Sequence, residues 1–267
     1  MKKRFRSLTR VLVTLVFVVV VFLGCTNKGD NSSFKKDSVV IGIDDTFVPM
    51  GFKNNKGEIV GFDVDLAKEV FKRIGLAVKF QSIDWAMKET ELNSDNIDLI
   101  WNGYSITKER KQKVTFTKPY LENRQVIITL ANSNINSKKD LKGKNVAAQS
   151  GSSSLDAINK ESEVSKTFDG GEPVLFETNN EALINLEAGR TDAVVADEIL
   201  ARYYIQQRGV NKYKVIKDDF GKEEYAVGLR KQDKDLLLKV QKALDDMKKD
   251  GTSTKISEKW FGKNIVN

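Results

Sequence analysis

Three stretches set the fold class: Val39-Val-Ile-Gly-Ile43, Gly61-Phe-Asp-Val-Asp-Leu-Ala-Lys-Glu-Val-Phe-Lys-Arg-Ile-Gly75 and Val78-Lys-Phe-Gln-Ser-Ile83. The first is a short apolar run and reads as a buried strand. In the second, Leu66, Ala67, Val70, Phe71 and Ile74 recur at helical spacing, with Asp63 suited to cap the start and Gly75 to end it. The third reads as a strand. A helix over about Ala86 to Leu92 and a buried strand over Asp98 to Trp101 follow. Strand, helix, strand, helix, strand predicts an α/β unit, a parallel sheet with helices on its faces.

The pattern restarts downstream. Asn145 to Gln149, Val174 to Phe176 and Asp192 to Ala196 read as strands. A helix opens at Gly151-Ser-Ser-Ser154, and another covers Asn180 to Ala188 and stops at Gly189. The two units share a local echo: Leu92 precedes Asp98-Leu-Ile by six residues, and Leu186 precedes Asp192-Ala-Val by six. Two lobes of similar topology are expected. Tyr225 to Leu229 then reads as a strand. Asp233 to Lys249 reads as an amphipathic helix with Leu237, Val240, Leu244 and Met247 on one face, and a short final helix carries Trp260-Phe261.

The N-terminus reads as an address. Lys2, Lys3, Arg4, Arg6 and Arg10 precede an apolar run from Val11 to Gly24, broken only by Thr14. That is the pattern of a secretory signal peptide over residues 1–24. Phe22-Leu-Gly-Cys25 resembles a bacterial lipobox, with Phe22 where leucine is usual. This resemblance implies a lipid on Cys25 and attachment to the cell membrane. Residues 25–37 are polar and read as a flexible tether. The functional body is therefore expected outside the cytoplasmic membrane.

The net charge of +7 comes mostly from that leader; without its five cations the balance is 39 basic to 37 acidic residues. Such a chain offers no electrostatic case for nucleic acid. It has no histidine and one cysteine, which excludes Ser-His-Asp and Cys-His catalysis and any intrachain disulfide. No metal or cofactor is implied.

Ligands of open α/β sheets sit beyond the carboxyl ends of the strands. Those positions hold Asp44 and Phe47, Trp85, the loop Asn102-Gly103-Tyr104-Ser105 with Arg110, the helix start at Ser152 and Ser153, and Asp197. Taken singly, Arg110 reads as a surface arginine, Asp197 as a helix cap, and Phe47 and Trp85 as core. Together they match the needs of a free amino acid. A guanidinium and backbone N–H groups suit its carboxylate, Asp44 or Asp197 its ammonium, and aromatic rings its side chain.

At these residues the chain resembles the polar amino-acid-binding proteins of bacterial ABC importers, solute-binding family 3, with the type 2 periplasmic-binding fold. The matching stretches are Gly42-Ile-Asp44-Asp-Thr-Phe47-Val-Pro49, Gly61-Phe-Asp-Val-Asp-Leu-Ala67, Ser105-Ile-Thr-Lys-Glu-Arg110 with Phe116-Thr-Lys-Pro119-Tyr120, and Asp192-Ala-Val-Val-Ala-Asp197-Glu198. The resemblance implies lobe 1 over 38–124 plus 221–267, lobe 2 over 125–220, and two crossover strands. It implies Arg110 on the α-carboxylate with Ser105 and the N–H groups near Ser152 and Ser153. It also implies Asp197 on the α-ammonium, and Phe47 and Trp85 beside the ligand side chain with Asp44 nearby. Met50, Phe47 and Asn102-Gly103 depart from residues common in the family, which leaves the ligand side chain open. Acids near the pocket, Asp44 and Asp84, favour a basic one. The implied partners are a polar L-amino acid, the permease subunits and the membrane through the lipid, with the protein a monomer. A ligand sensor, or an enzyme acting on small carboxylates on the same fold, is the competing expectation.

Overall fold

The computed structural model describes residues 36–267; the expected signal peptide and Cys25 lie outside the described residues. β1 (Ser38–Ile43) leads into short antiparallel strands, β2 (Thr46–Phe47), β3 (Gly51–Lys53) and β4 (Ile59–Val60). Then come α1 (Phe62–Ile74), β5 (Ala77–Ser82), α2 (Lys88–Asn93), β6 (Leu99–Ile100), α3 (Lys108–Lys113) and β7 (Thr115–Phe116). The long β8 (Leu121–Leu130) enters a second unit of β9 (Val146–Gln149), α4 (Ser153–Lys160), α5 (Ser162–Ser165), β10 (Val174–Phe176), α6 (Asn179–Glu187), β11 (Ala193–Asp197) and α7 (Glu198–Arg208). β12 (Tyr213–Tyr225) returns to β13 (Gly228–Leu229), α8 (Lys234–Lys249) and α9 (Thr252–Phe261).

Two five-stranded sheets result, ordered β5-β1-β6-β13-β7 and β10-β9-β11-β8-β12. Each has a parallel trio, β5-β1-β6 and β10-β9-β11, extended by antiparallel strands. The fold is α/β with two lobes. β8 and β12 pair antiparallel along most of their length, from Leu121 opposite Tyr225 to Leu130 opposite Tyr213. The chain passes between the sheets on these two strands.

Burial follows the apolar pattern. Val39, Ile41 and Ile43 of β1 and Leu66, Ala67, Val70 and Phe71 of α1 are fully enclosed, and each large side chain so buried stabilises the fold by about 1.5–3 kcal/mol. α8 turns Leu236, Val240, Leu244 and Met247 to the core; of the expected face only Leu237 is half-buried.

Two sequence expectations change, and a third gains a physical basis. Asp63 does not cap α1; Gly61 holds that position, and the Asp63 carboxylate is buried inside the lobe. There it accepts hydrogen bonds from the Gly103 N–H at 2.7 Å and the Tyr120 hydroxyl at 2.9 Å. The run Tyr225 to Leu229 is not one strand. Tyr225 ends β12 in the second sheet, and β13 joins the first, because the chain changes partners at Ala226 and Val227. The echo around Asp98 and Asp192 has a physical basis. Each carboxylate accepts a backbone N–H from the adjacent parallel strand or its approach, Val40 and Asn145 respectively, both at 2.9 Å.

Candidate ligand-binding site

The loop after β6 is shaped by contacts from beneath. Gly103 has φ 58°, and a Cβ there would lie 2.6 Å from the Phe47 ring. Only glycine fits such a position. Asn102 is buried, and its Oδ1 accepts the Asp44 N–H at 3.0 Å, tying this loop to the end of β1. Ser105 bridges to Tyr225 as an isolated ladder pair.

Arg110 stands on the first turn of α3, where Thr107 caps the helix by accepting the Arg110 N–H at 3.1 Å. Its guanidinium is almost wholly buried. It donates to the Ser105 carbonyl at 3.0 Å and to the Gly151 carbonyl of the second lobe at 3.3 Å. The Tyr104 ring lies 4.7 Å below it. Tyr104 braces Arg110: it is fully buried, stacked on Phe116 and edge-on to Trp85, and it donates to Glu89 at 2.9 Å.

Two charged residues of α2, Lys88 and Glu89, turn inward. Lys88 donates to the carbonyls of Trp85 at 3.0 Å and Gly151 at 2.8 Å, and Glu89 lies 3.4 Å from Lys88 and 3.8 Å from Arg110. Burial and the Arg110 charge pull the Lys88 ammonium down to about 8. Burial alone would raise Glu89, but Lys88 and Arg110 outweigh it and hold the carboxylate below its ordinary range. Two cations and one anion leave this corner with one net positive charge. A detectable signal existed. Lys88 and Leu92 share a helix face at i and i+4, and Leu92 is an apolar residue suited to the core.

Across from it, α4 begins at Ser152, whose hydroxyl accepts the Leu155 N–H at 3.2 Å and donates to the Gln149 carbonyl at 2.7 Å. Its side chain is thus used as a cap. Ser153 instead faces the first lobe, 3.0 Å from the Ser105 hydroxyl. Asp197 ends β11 and is buried. Its Oδ1 accepts from Asn123 at 2.5 Å, Gln125 at 3.0 Å and the Tyr225 hydroxyl at 2.6 Å. Burial, and then the nearby Glu223, push this carboxyl well above its ordinary value. Sequence reasoning missed the Asn123, Gln125, Glu223 and Tyr225 shell, because these residues alternate along the crossover strands and carry no motif.

Asp44 is buried, folded onto Thr46 at 2.7 and 2.9 Å, and takes a 2.7 Å hydrogen bond from Gln149 of the second lobe. Burial raises its carboxyl, partly offset by Thr46. Phe47 and Trp85 keep only 6% and 7% exposure, so both rings are close to enclosed. Asp84 stays at the surface and caps the turn beginning at Trp85 by accepting the Ala86 N–H at 2.8 Å. The structure therefore brings Ser105, Arg110, Ser152, Ser153 and Gly151 to one seam, with Asp44 and Asp197 on hydrogen bonds to either side of it, while Asn102, Gly103 and Tyr104 hold the wall from behind. Among the described residues no group of acids, cysteines or histidines is arranged to hold a metal.

Known proteins resemble this chain in sequence and fold. The L-cystine-binding protein TcyJ of Escherichia coli (strain K12) is 29% identical over 88% of this chain and 87% of its own length. The arginine-binding extracellular protein ArtP of Bacillus subtilis (strain 168) is 31% identical over 94% and 97%. The solved structure of an ABC uptake transporter substrate-binding protein from Streptococcus pneumoniae with bound histidine aligns with a TM-score of 0.85 at 42% identity, covering 86% of this chain and 95% of that one. A family model matches residues 39–263. The chain belongs to the bacterial extracellular solute-binding proteins, family 3.

Proposed function

We propose that this protein is the extracytoplasmic solute-binding component of an ABC importer, holding a polar L-amino acid between its lobes and delivering it to the permease. One observation carries the reading. A net positive corner of Arg110, Lys88 and Glu89 on one lobe meets the start of α4 on the other, and a carboxyl site at Asp197 lies beside the same seam. A zwitterion has the matching pair of charges. The α-carboxylate is assigned to Arg110, with Ser105 and the N–H groups at Ser152 and Ser153, and the α-ammonium to Asp197. Phe47 and Trp85 flank the side chain, with Asp44 at its end. A buried acid there favours a basic side chain, in keeping with the arginine- and histidine-binding relatives.

Residues 38–124 with 221–267 form one lobe and 125–220 the other, moving on β8 and β12. The first sheet lies wholly in the former, and the second in the latter apart from the crossover ends. Contact with both lobes lets the ligand favour the closed arrangement over the open one. Residues 1–24 are removed as a signal peptide, Cys25 carries the lipid, and the monomer stays at the membrane near its permease.

Thermal unfolding of residues 26–267 against the twenty amino acids, cystine and ornithine tests this. A ligand at 100 times its dissociation constant adds about 2.7 kcal/mol, which raises the melting temperature by about 5–11 °C at this size. Arginine or histidine is the expected hit. A flat panel, with the protein shown free of co-purified ligand, overturns the reading.

A further inference from the structure

We propose that Glu223 is a second acid of the ammonium subsite, sharing one proton with Asp197 until the ligand's ammonium displaces that proton to solvent. The inference rests on the reading of Asp197 as the ammonium partner and adds a residue and a proton to it. Glu223 lies on β12 directly opposite Asn123 of β8. Asn123 Nδ2 donates to Asp197 Oδ1 at 2.5 Å and to Glu223 Oε1 at 2.6 Å. Gln125 Nε2 donates to the same two oxygens at 3.0 and 2.8 Å. Two acids from different strands thus converge on the same two amides.

The donors around the pair are neutral. Tyr225 adds a hydroxyl to Asp197, and Ser153 of α4 reaches Gln125. The nearby cation Arg124 is committed to Glu198 and Asp219, and Glu198 at the start of α7 also holds Arg202. Lys222 and Glu224 flank Glu223 and, by strand alternation, point to the opposite face. Among the described residues no lysine or arginine hydrogen-bonds either acid of the pair. Asp197 is buried and Glu223 half-buried; with no cation beside them, ionising both adjacent carboxyl groups is costly, so one keeps its proton. An arriving ammonium supplies the missing positive charge. The shared proton then leaves for solvent, and the O–H bond it occupied is replaced by N–H···O contacts from the ligand. Charge within the subsite is the same before and after the exchange.

Calorimetric titration of the mature chain with L-arginine, in two buffers of different ionisation heat, counts the proton. Release close to one proton per arginine at neutral pH, with affinity rising up to about tenfold per pH unit below the acid's pKa, is the expected result. In Glu223→Gln the release and the pH slope both disappear. Equal proton counts in the two proteins, or none in the native one, overturn the proposal. Failure of L-arginine to bind sinks the basic-ligand reading instead. The proton is then read from ligand-free protein carrying [4-13C]aspartate, with the Asp197 signal assigned by its loss in Asp197→Asn and so kept apart from Asp63. An Asp197 titration well above the ordinary range that falls in Glu223→Gln upholds the pair, and titration in the ordinary range overturns it.

Discussion

The hydroxyls of Ser105 and Ser153 meet at 3.0 Å, one from the loop below Arg110 and the other from the first turn of α4. On the proposed lobe assignment the two lie in different lobes, and this hydrogen bond would belong to the closed arrangement. Ser105→Ala is expected to weaken amino-acid binding by about 0.5–1.5 kcal/mol, the net worth of one such bond. Global stability should barely move. Calorimetry against the best ligand checks the first part and urea unfolding without ligand the second. An unchanged affinity refutes the contact's role in closure.

Arg110 presents a planar fork held by Tyr104 and Glu89. Arg110→Ala should lose 2–5 kcal/mol or so of binding energy, as removal of a buried charge partner does. Arg110→Lys should recover only part of it, because an ammonium cannot make two parallel hydrogen bonds to a carboxylate. Isothermal titration of both variants reads this directly. Native-like binding by Arg110→Ala removes Arg110 from the site.

Gly151 adopts φ 65°, and a Cβ there would lie 2.7 Å from the Ala86 backbone of the opposite lobe. Gly151→Ala should therefore obstruct closure while leaving each lobe folded. Small-angle scattering is expected to show no compaction on adding ligand, and affinity should drop at least tenfold. Ligand-induced compaction equal to that of the native protein contradicts the steric argument.

Asp63 carries a pH signature. Burial raises its carboxyl to about 7, against the partial relief supplied by Gly103 and Tyr120. The folded chain then holds a proton that the unfolded chain releases near 3.8. Stability falls as pH rises between those two values and is flat above about 7; the full difference is on the order of 4 kcal/mol. Asp63→Asn should remove that slope. Unfolding free energies of both proteins from pH 4 to 8 test it. Parallel curves mean that Asp63 titrates normally.

The sheets were legible because apolar runs and helical periods alternate cleanly, and strand ends pointed at Asp44, Trp85, Arg110 and Asp197. What escaped was polarity reversed by burial. Lys88 and Glu89 face inward while Met87, the apolar residue beside them, is 44% exposed. Nothing in the run Lys88-Glu-Thr-Glu91 marks two of its charged residues as buried. Asp63 looked like a helix cap because its chemistry suits one, and only the fold reveals that Gly103 claims its carboxylate. The shell around Asp197 was invisible for another reason. Asn123, Gln125, Glu223 and Tyr225 are alternate residues on two strands whose pairing spans about a hundred positions of sequence.

That shell sits on β8 and β12, the strands on which the chain passes from one sheet to the other. On the proposed assignment, a ligand drawn to Asp197 would apply its force at the fulcrum, not at the rim. Leverage there is short, so a small local shift is magnified into a wide swing at the far edges of the lobes. Such a hinge would give up mechanical advantage for travel, and a substitution in the shell would change how far the jaws move as well as how tightly they grip.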